Sequence, residues 1–149
     1  RVVTWWKPYH AKLAEEINQI KSRHGYTLLW DAHSIFSEVP RFFSGKLPSL
    51  NLGTADGRSC GSGIGEGLVR KVSGYGAVLN GRFKGGYITR TYGDPAVGVH
   101  AVQLELSEAT YMDEFPPFEF RESLAARLRP QLRALIEEFC RLGHGRRTG

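Results

Sequence analysis

The chain has 149 residues and a formal net charge of +5, with 41% hydrophobic and 23% charged side chains. These values are typical of one globular domain over residues 1–149, and they exclude a disordered chain. No apolar run is long enough to cross a bilayer, and residues 1–7 lack the apolar core of a secretory signal. We therefore expect no membrane partner and no export.

Most of the net charge lies near the C-terminus. Residues 121–149 hold seven arginines and three glutamates, whereas the other 120 residues hold 13 basic and 12 acidic side chains. The basic pI therefore comes from one arginine-rich segment and does not indicate a nucleic-acid-binding surface. The two cysteines, Cys60 and Cys140, form no CxxC pair, and a reducing cytoplasm is the location we expect.

The first elements are a helix and a strand. Residues Lys7–His24 have helical spacing of apolar side chains, with Pro8 in the first turn and Gly25 in the position of a C-terminal cap. The apolar run Tyr26–Trp30 predicts a strand covered on both faces. The polar residues Asp31-Ala32-His33-Ser34 follow, and we expect them at the carboxyl end of that strand, where open α/β sheets build ligand sites.

The middle of the chain is rich in glycine and proline. Residues 37–56 predict a long loop, and residues 57–86 hold ten glycines. Within the second stretch, Ile64–Val72 favours a short helix and Gly76–Leu79 a strand. The run Gly61–Gly67 lacks both GK[ST] and the GxGxxG spacing, so we favour a mobile loop or lid over a nucleotide-binding loop.

The last elements are again a strand and a helix. Val99–Leu106 alternates and predicts a core strand, and Phe118–Leu142 predicts a helix that Pro130 would kink or break and Gly143 would end. The order of elements predicts an α/β fold with a mainly parallel or mixed sheet flanked by helices. Because no strand precedes the first helix, we expect an incomplete domain, the later part of a larger one.

His33 is the first candidate for chemistry. A neutral imidazole at a strand end can ligate zinc, and a neighbouring Asp31 or Ser34 can orient it from behind. The alternative is a histidine that is hydrogen-bonded for structural reasons alone.

Glu105 is the second candidate. In Gln103-Leu104-Glu105-Leu106-Ser107 the leucines face one side of the strand, and Gln103 and Glu105 face the other. A carboxylate in a core strand is costly to bury unless it is paired or used. Beside an activated water it could take a proton and pass it to a leaving amine. The alternative is an exposed glutamate on a half-solvated strand.

Arg90 is the third candidate. It stands among hydroxyl-bearing residues and glycines in residues 86–93, a setting that suits bidentate binding of a carboxylate. The alternative is a turn with a solvated arginine. His100 opens the last core strand and could point into a site. The remaining histidines are expected on helix surfaces, and the tryptophans in packing or interfaces: His10, His24, His144, Trp5 and Trp6.

Three longer segments carry a resemblance to a known family. They are LLWDAHSIFSEVPRFFSGKLPSLNLGT, NGRFKGGYITRTYG and GVHAVQLELSEATYMDE. In this order they resemble the N-formylglutamate amidohydrolase (N-formylglutamate deformylase) family, and the similarity runs from the WWKPYH segment to the last helix. The resemblance implies a zinc exopeptidase-like, phosphorylase/hydrolase-like fold and the hydrolysis of N-formyl-L-glutamate to formate and L-glutamate in histidine degradation.

The resemblance also implies roles for individual residues. His33 corresponds to the third ligand of zinc, or of another divalent metal, and Glu105 to the general base. Arg90 would bind a substrate carboxylate, Asn51 and Thr54 would add hydrogen bonds, and Asp31 and Ser34 would support His33. The first two metal ligands are expected in an N-terminal region that precedes Arg1 in the family.

Three expectations stay open. The chain is either an amidohydrolase acting on a small N-acyl amino acid, or an inactive fragment that folds or oligomerises. A different acyl substrate is a third alternative. Because a parallel sheet without its first strands exposes an edge, we expect a homo-oligomer or rearranged packing.

Overall fold

The computed structural model describes residues 1–144, so Arg146 and Arg147 of the arginine-rich segment lie outside the described residues. A π-helical turn, Val2–Trp6, leads into the first helix. The helices and strands that follow are α1 Lys7–His24, β1 Thr27–Ile35, β2 Leu50–Gly53, α2 Ile64–Lys71, β3 Ala77–Leu79, α3 Tyr87–Tyr92, β4 Val99–Ser107 and α4 Glu122–His144.

One four-stranded mixed sheet organises the molecule. Its strand order is β1-β4-β2-β3, with β1 parallel to β4, β2 antiparallel to β4, and β3 parallel to β2. The fold is therefore α/β with a mixed sheet flanked by helices, as the order of elements predicted. Within residues 1–144, β1 pairs with β4 alone, so the outer edge of this nine-residue strand carries no neighbour.

The two faces of the sheet differ in chemistry. Helices α2 and α4 cover one face, and the core lies there between Leu52, Leu104 and Leu135, which are buried. Helices α1 and α3 cover the other face, where α1 meets β1 through Thr27, whose hydroxyl donates to the Ile17 carbonyl at 2.8 Å. Because side chains alternate along a strand, the residues between the core leucines form a polar face under α3.

The described structure differs from the sequence prediction at both ends of the first strand. It begins at Thr27 and continues to Ile35, so Asp31 and His33 lie within the strand and not beyond it. The extension follows from β4, which pairs with β1 residue by residue as far as Ser107. The predicted segment, residues 26–30, is covered by α1 on one face and by α4 on the other, whereas residues 32–34 of the extension are exposed.

The loop predicted over residues 37–56 contains a strand. Residues Leu50–Gly53 form β2. Pro48, just before this strand, and Gly53, its last residue, had favoured an irregular loop. All four residues are buried, because β2 lies between β4 and β3. A four-residue strand is too short to show a clear period, and its stability comes from its neighbours.

The glycine-rich segment is a packed helix and not a lid. Within α2, a Cβ on Gly65 would lie 2.8 Å from a methyl group of Leu79, and one on Gly67 would lie 2.6 Å from a methyl group of Leu142. These glycines therefore allow α2 to approach β3 and α4 closely. Helix α4 begins at Glu122, four residues after the predicted start, and runs unbroken through Pro130.

Gly143 does not end α4 as predicted. A Cβ on this glycine would lie 2.3–2.8 Å from the methyl groups of Leu28. The glycine thus serves the close packing of α4 on β1.

Candidate active site on the polar face

Three polar residues stand side by side on neighbouring strands. His33 of β1 is the register partner of Glu105 of β4, and Glu105 is in turn the partner of Asn51 of β2. Residues paired directly across a sheet point to the same face. The fold therefore brings together two residues that are 72 positions apart in the sequence, His33 and Glu105, in one row across the sheet.

Asp31 supports the imidazole of His33. The two residues are separated by one position and so share the polar face, with Asp31 Oδ1 2.9 Å from His33 Nε2. Asp31 is buried, and its other oxygen accepts a hydrogen bond from the Thr89 hydroxyl at 3.0 Å. The imidazole is 48% exposed, so a fixed carboxylate lies behind an accessible ring. This arrangement leaves Nδ1 of His33 available to a ligand.

Gln103 supports the carboxylate of Glu105 in a similar way. Its side-chain amide donates from Nε2 to Glu105 Oε2 at 3.0 Å, and its Oε1 accepts a hydrogen bond from the backbone N–H of Gly86. Both Gln103 and Glu105 are buried. The loop before α3 is therefore linked to the carboxylate through one glutamine.

Burial changes the acidity of Glu105. Loss of solvation raises the pKa of this carboxyl above its ordinary value of 4.5, and the nearby Asp31 and Glu108 raise it further. His33 and the hydrogen bond from Gln103 act in the opposite direction but are outweighed. A carboxylate with a raised pKa is a stronger base, so Glu105 is suited to take a proton from water.

Asn51 and Thr54 are placed differently from one another. Asn51 is fully buried beside Glu105, where its amide donates to the carbonyls of Pro48 and Glu105 at 2.9 and 3.2 Å. Its Oδ1 atom has no hydrogen-bond partner among residues 1–144. Thr54 lies on the opposite side of the sheet, where it bonds Asn80 and lines a cavity of about 430 Å³ at the start of α2.

Arg90 and Ser34 lie at the margins of the polar face. Arg90 is exposed on α3, directly after Thr89, and its guanidinium donates to the carbonyl of Gly85. Ser34 is exposed, accepts a hydrogen bond from the Tyr111 hydroxyl at 2.8 Å, and by alternation points away from the face of His33. The structure therefore does not bring Ser34 or Thr54 to the row of His33, Glu105 and Asn51.

Three of the other histidines have specific contacts, and His144 Nδ1 lies 3.2 Å from the hydroxyl of Tyr26. His100 is buried on the core side of β4, next to the N–H of Gly61 at 3.0 Å, and so faces away from Glu105. His10 is half-buried rather than a plain surface residue: its Nδ1 lies 2.8 Å from the hydroxyl of Tyr92, and its ring packs against Trp6. These contacts attach α1 to α3.

The described residues contain no complete set of metal ligands. Within residues 1–144, no group of three or more histidine, cysteine, aspartate and glutamate side chains is placed to hold a metal ion. His33 with Asp31 behind it matches the pattern of one metal ligand and its supporting carboxylate. A single ligand does not hold a metal, so this part of the chain does not form a complete metal centre.

Sequence reasoning missed the contacts of three neighbours of the site: Gln103, Gly86 and Thr89. Gln103 was placed on the correct face, but its contact with Gly86 spans 17 residues and leaves no local pattern. Thr89 was noticed only as a hydroxyl next to Arg90. A signal was available at Gln103 and Glu105 together, because two polar residues at alternate positions of a buried strand need partners.

Comparison with known proteins identifies the family of the chain. A family model described as N-formylglutamate amidohydrolase matches residues 1–112. The chain is 52% identical over 135 residues to an N-formylglutamate deformylase of Pseudomonas putida, covering 89% of this chain and 51% of the relative. It is 51% identical over 144 residues to one of Pseudomonas aeruginosa, covering 95% of this chain and 54% of the relative.

A solved structure has the same fold. The crystal structure of an N-formylglutamate amidohydrolase from Ralstonia eutropha JMP134 aligns with a TM-score of 0.77 at 26% identity, covering 99% of this chain and 54% of that one. The chain thus spans about half the length of the relatives it matches. On the family model and these similarities, the chain belongs to the N-formylglutamate amidohydrolase family.

Proposed function

We propose that this chain carries the general base and part of the substrate site of an N-formylglutamate deformylase. The reaction adds water to N-formyl-L-glutamate and yields formate and L-glutamate. The observation that carries the proposal is the buried carboxylate of Glu105 beside His33 in the register of β1 and β4. The names of the Pseudomonas relatives support the choice of substrate.

Glu105 performs the proton transfers in this proposal. Its carboxylate removes a proton from the attacking water as the oxygen bonds to the formyl carbon. When the C–N bond breaks, the same carboxyl group returns the proton to the nitrogen of the leaving glutamate. Burial raises the pKa of Glu105, which makes its carboxylate a better acceptor for the proton of the water.

His33 is the proposed contact to a metal. The ring fits one ligand position, with Asp31 and Thr89 holding it, and the other ligands would come from outside residues 1–144. Zinc or another divalent ion bound there would polarise the formyl carbonyl and increase the acidity of the water. Metal content measured by mass spectrometry in parent and His33→Ala proteins tests this role directly, since the variant should lose the metal.

Arg90 and Asn51 are the proposed substrate contacts. The Arg90 guanidinium projects from α3 near the loop that contacts Gln103, and it can pair with a carboxylate of the substrate in bidentate fashion. Asn51 has a buried carbonyl oxygen with no partner among residues 1–144, which could accept the amide N–H of the substrate after a side-chain movement. Thr54 has no part in this proposal, because it lies on the opposite side of the sheet with Asn80.

Replacement of Glu105 is the decisive experiment. Glu105→Gln keeps the shape and the hydrogen bond from Gln103 but cannot accept a proton, so we expect kcat to fall by about 100-fold or more. Formate release by the full-length protein measures it. The matched control is Glu137→Gln, which removes an exposed carboxylate on α4, on the other side of the sheet, and should keep normal turnover. Near-normal turnover of Glu105→Gln would contradict the base role.

A second candidate function follows from the coverage of the relatives. Because the chain spans about half of their length, residues 1–149 alone could be an inactive part that acts only when joined to the rest. A folded polypeptide of residues 1–149 without metal or deformylase activity, alongside an active longer protein, would support this. A panel of N-acyl amino acids separates N-formylglutamate from another acyl substrate.

The cellular setting is part of the same proposal. A deformylase of this type would serve histidine degradation in the cytoplasm. Among the described residues, Cys60 is buried, Cys140 is exposed, and the two are not joined in a disulfide. Among residues 1–144, no helix is long and apolar enough to span a membrane.

A further inference from the structure

Gln103 is held in one orientation by its two neighbours on the polar face. The backbone N–H of Gly86 can only donate a hydrogen bond, so the side-chain oxygen of Gln103 must face it. The amide NH₂ is then directed to Glu105, where it donates to Oε2 at 3.0 Å. If the Gln103 amide were flipped, its NH₂ group would face the N–H of Gly86 and its oxygen would face the carboxylate of Glu105, so neither hydrogen bond could form.

The position of Gly86 is itself fixed by the sheet. A Cβ on Gly53 of β2 would lie within 2.6 Å of the Lys84 carbonyl carbon and closer still to the nitrogen of Gly85. The backbone of residues 84–86 therefore rests directly on the strand, and Lys84 also accepts a hydrogen bond from the N–H of Ala55 at 2.6 Å. The N–H that orients Gln103 belongs to this tightly placed segment.

We propose that Gln103 is a positioning residue that selects the catalytic oxygen of Glu105. The proposal rests on the base role of Glu105 given above. By donating to Oε2, Gln103 holds the carboxylate at one rotation and leaves Oε1 to take the proton from water. Without the amide, the carboxylate could rotate about its last bond and present either oxygen in several directions, so proton transfer would lose its fixed geometry.

Four proteins test the inference by kinetics. Gln103→Met keeps the length and removes both hydrogen bonds, and we expect kcat to fall by about 10- to 100-fold while KM changes by less than about twofold. In a Glu105→Gln background, adding Gln103→Met should change the residual rate little, because the residue acts through the missing carboxylate. An equal loss in both backgrounds, or normal kcat in Gln103→Met, would overturn the proposal.

Gln131 provides the matched control. It is also a nearly buried glutamine with both amide ends used, accepting from the N–H of Ser73 at 2.9 Å and donating to the Lys71 carbonyl at 3.3 Å. It lies on α4, on the other side of the sheet. Gln131→Met should lose comparable packing and hydrogen bonding yet keep kcat, which separates positioning from general stability.

Amide hydrogen exchange tests the bridge without any activity. The N–H of Gly86 should exchange faster in Gln103→Met and be unchanged in Gln131→Met. Unchanged exchange in Gln103→Met would refute the bridge, even in an active enzyme. Failure of the proposed function looks different: the parent shows no deformylase activity, or Glu105→Gln remains active, whatever the exchange rate of Gly86.

Discussion

At the scale of single residues, the raised pKa of Glu105 connects the proposed activity with the stability of the fold. Burial is its largest cause, so the ionised carboxylate is less favourable in the folded chain than in the unfolded one. The folded protein therefore retains the proton to higher pH than the unfolded protein. Stability falls as the pH rises from the unfolded pKa to the folded pKa, and the loss is complete above the folded pKa.

Glu105→Gln should consequently stabilise the protein at neutral pH. The neutral amide avoids the cost of burying a charge, so we expect a higher melting temperature than the parent at pH 7.5, measured with a metal chelator present. Near pH 4 the parent carboxyl is largely protonated and the difference should disappear. An advantage of the same size at both pH values would show that ionisation of Glu105 does not limit stability.

Arg90 gives a second prediction at this scale. If its guanidinium binds a substrate carboxylate, Arg90→Ala should raise KM by about 10- to 100-fold, the range for a lost charge-assisted hydrogen bond, with a smaller effect on kcat. The control is Arg82→Ala, which removes another exposed arginine that contacts the Phe42 carbonyl. An unchanged KM in Arg90→Ala would leave the arginine as an ordinary solvated residue.

At the scale of elements, strands were predicted at the positions of β1, β3 and β4, whereas β2, inside a segment rich in proline and glycine, was not. The alternation of Val102, Leu104 and Leu106 against Gln103 and Glu105 predicted both the strand and its polar face, and the structure has both. β2 was missed because four residues give no period. The Gln103–Gly86 bridge was missed because nothing local indicates which loop packs on which strand.

Gly53→Ala tests the packing of that loop on β2. The added methyl group would collide with the backbone of Lys84 and Gly85, which cannot yield as a flexible side chain could. We expect a loss of about 2 kcal/mol or more in the free energy of unfolding, measured with urea. Gly76→Ala is the control, since a Cβ there would meet nothing closer than 4.0 Å and should change stability little.

At the scale of the whole molecule, the open edge of β1 lies next to the proposed site. His33 is on the strand whose outer side has no partner among residues 1–144, and the curated relatives are about twice as long as this chain. In the proposed function, the remaining metal ligands would come from outside residues 1–144. The sequence resemblance implied metal ligands outside this chain, whereas the structure shows which strand edge is unpaired among residues 1–144.

The polypeptide of residues 1–149, produced alone, should self-associate. A nine-residue strand with unpaired backbone groups is a template for edge-to-edge pairing. Light scattering coupled to gel filtration should show a mass that rises with concentration. Ala32→Lys, a charge on the exposed part of β1, should reduce the association, whereas Ala11→Lys on the exposed surface of α1 should not. A parent that stays monomeric at all concentrations would contradict this expectation.

The parallel pairing of β1 with β4 has a consequence for how the chain folds. Its first pair, Thr27 and Val99, joins positions that are 72 residues apart in the sequence. The chain must therefore lose the conformational entropy of closing a large loop before any backbone hydrogen bond of this ladder can form. Such high contact order slows folding and makes the ladder a late, all-or-none event. His33 and Glu105 become neighbours only in that event, so a chain still emerging from the ribosome has no partial version of the site until the segment through Ser107 has been synthesised.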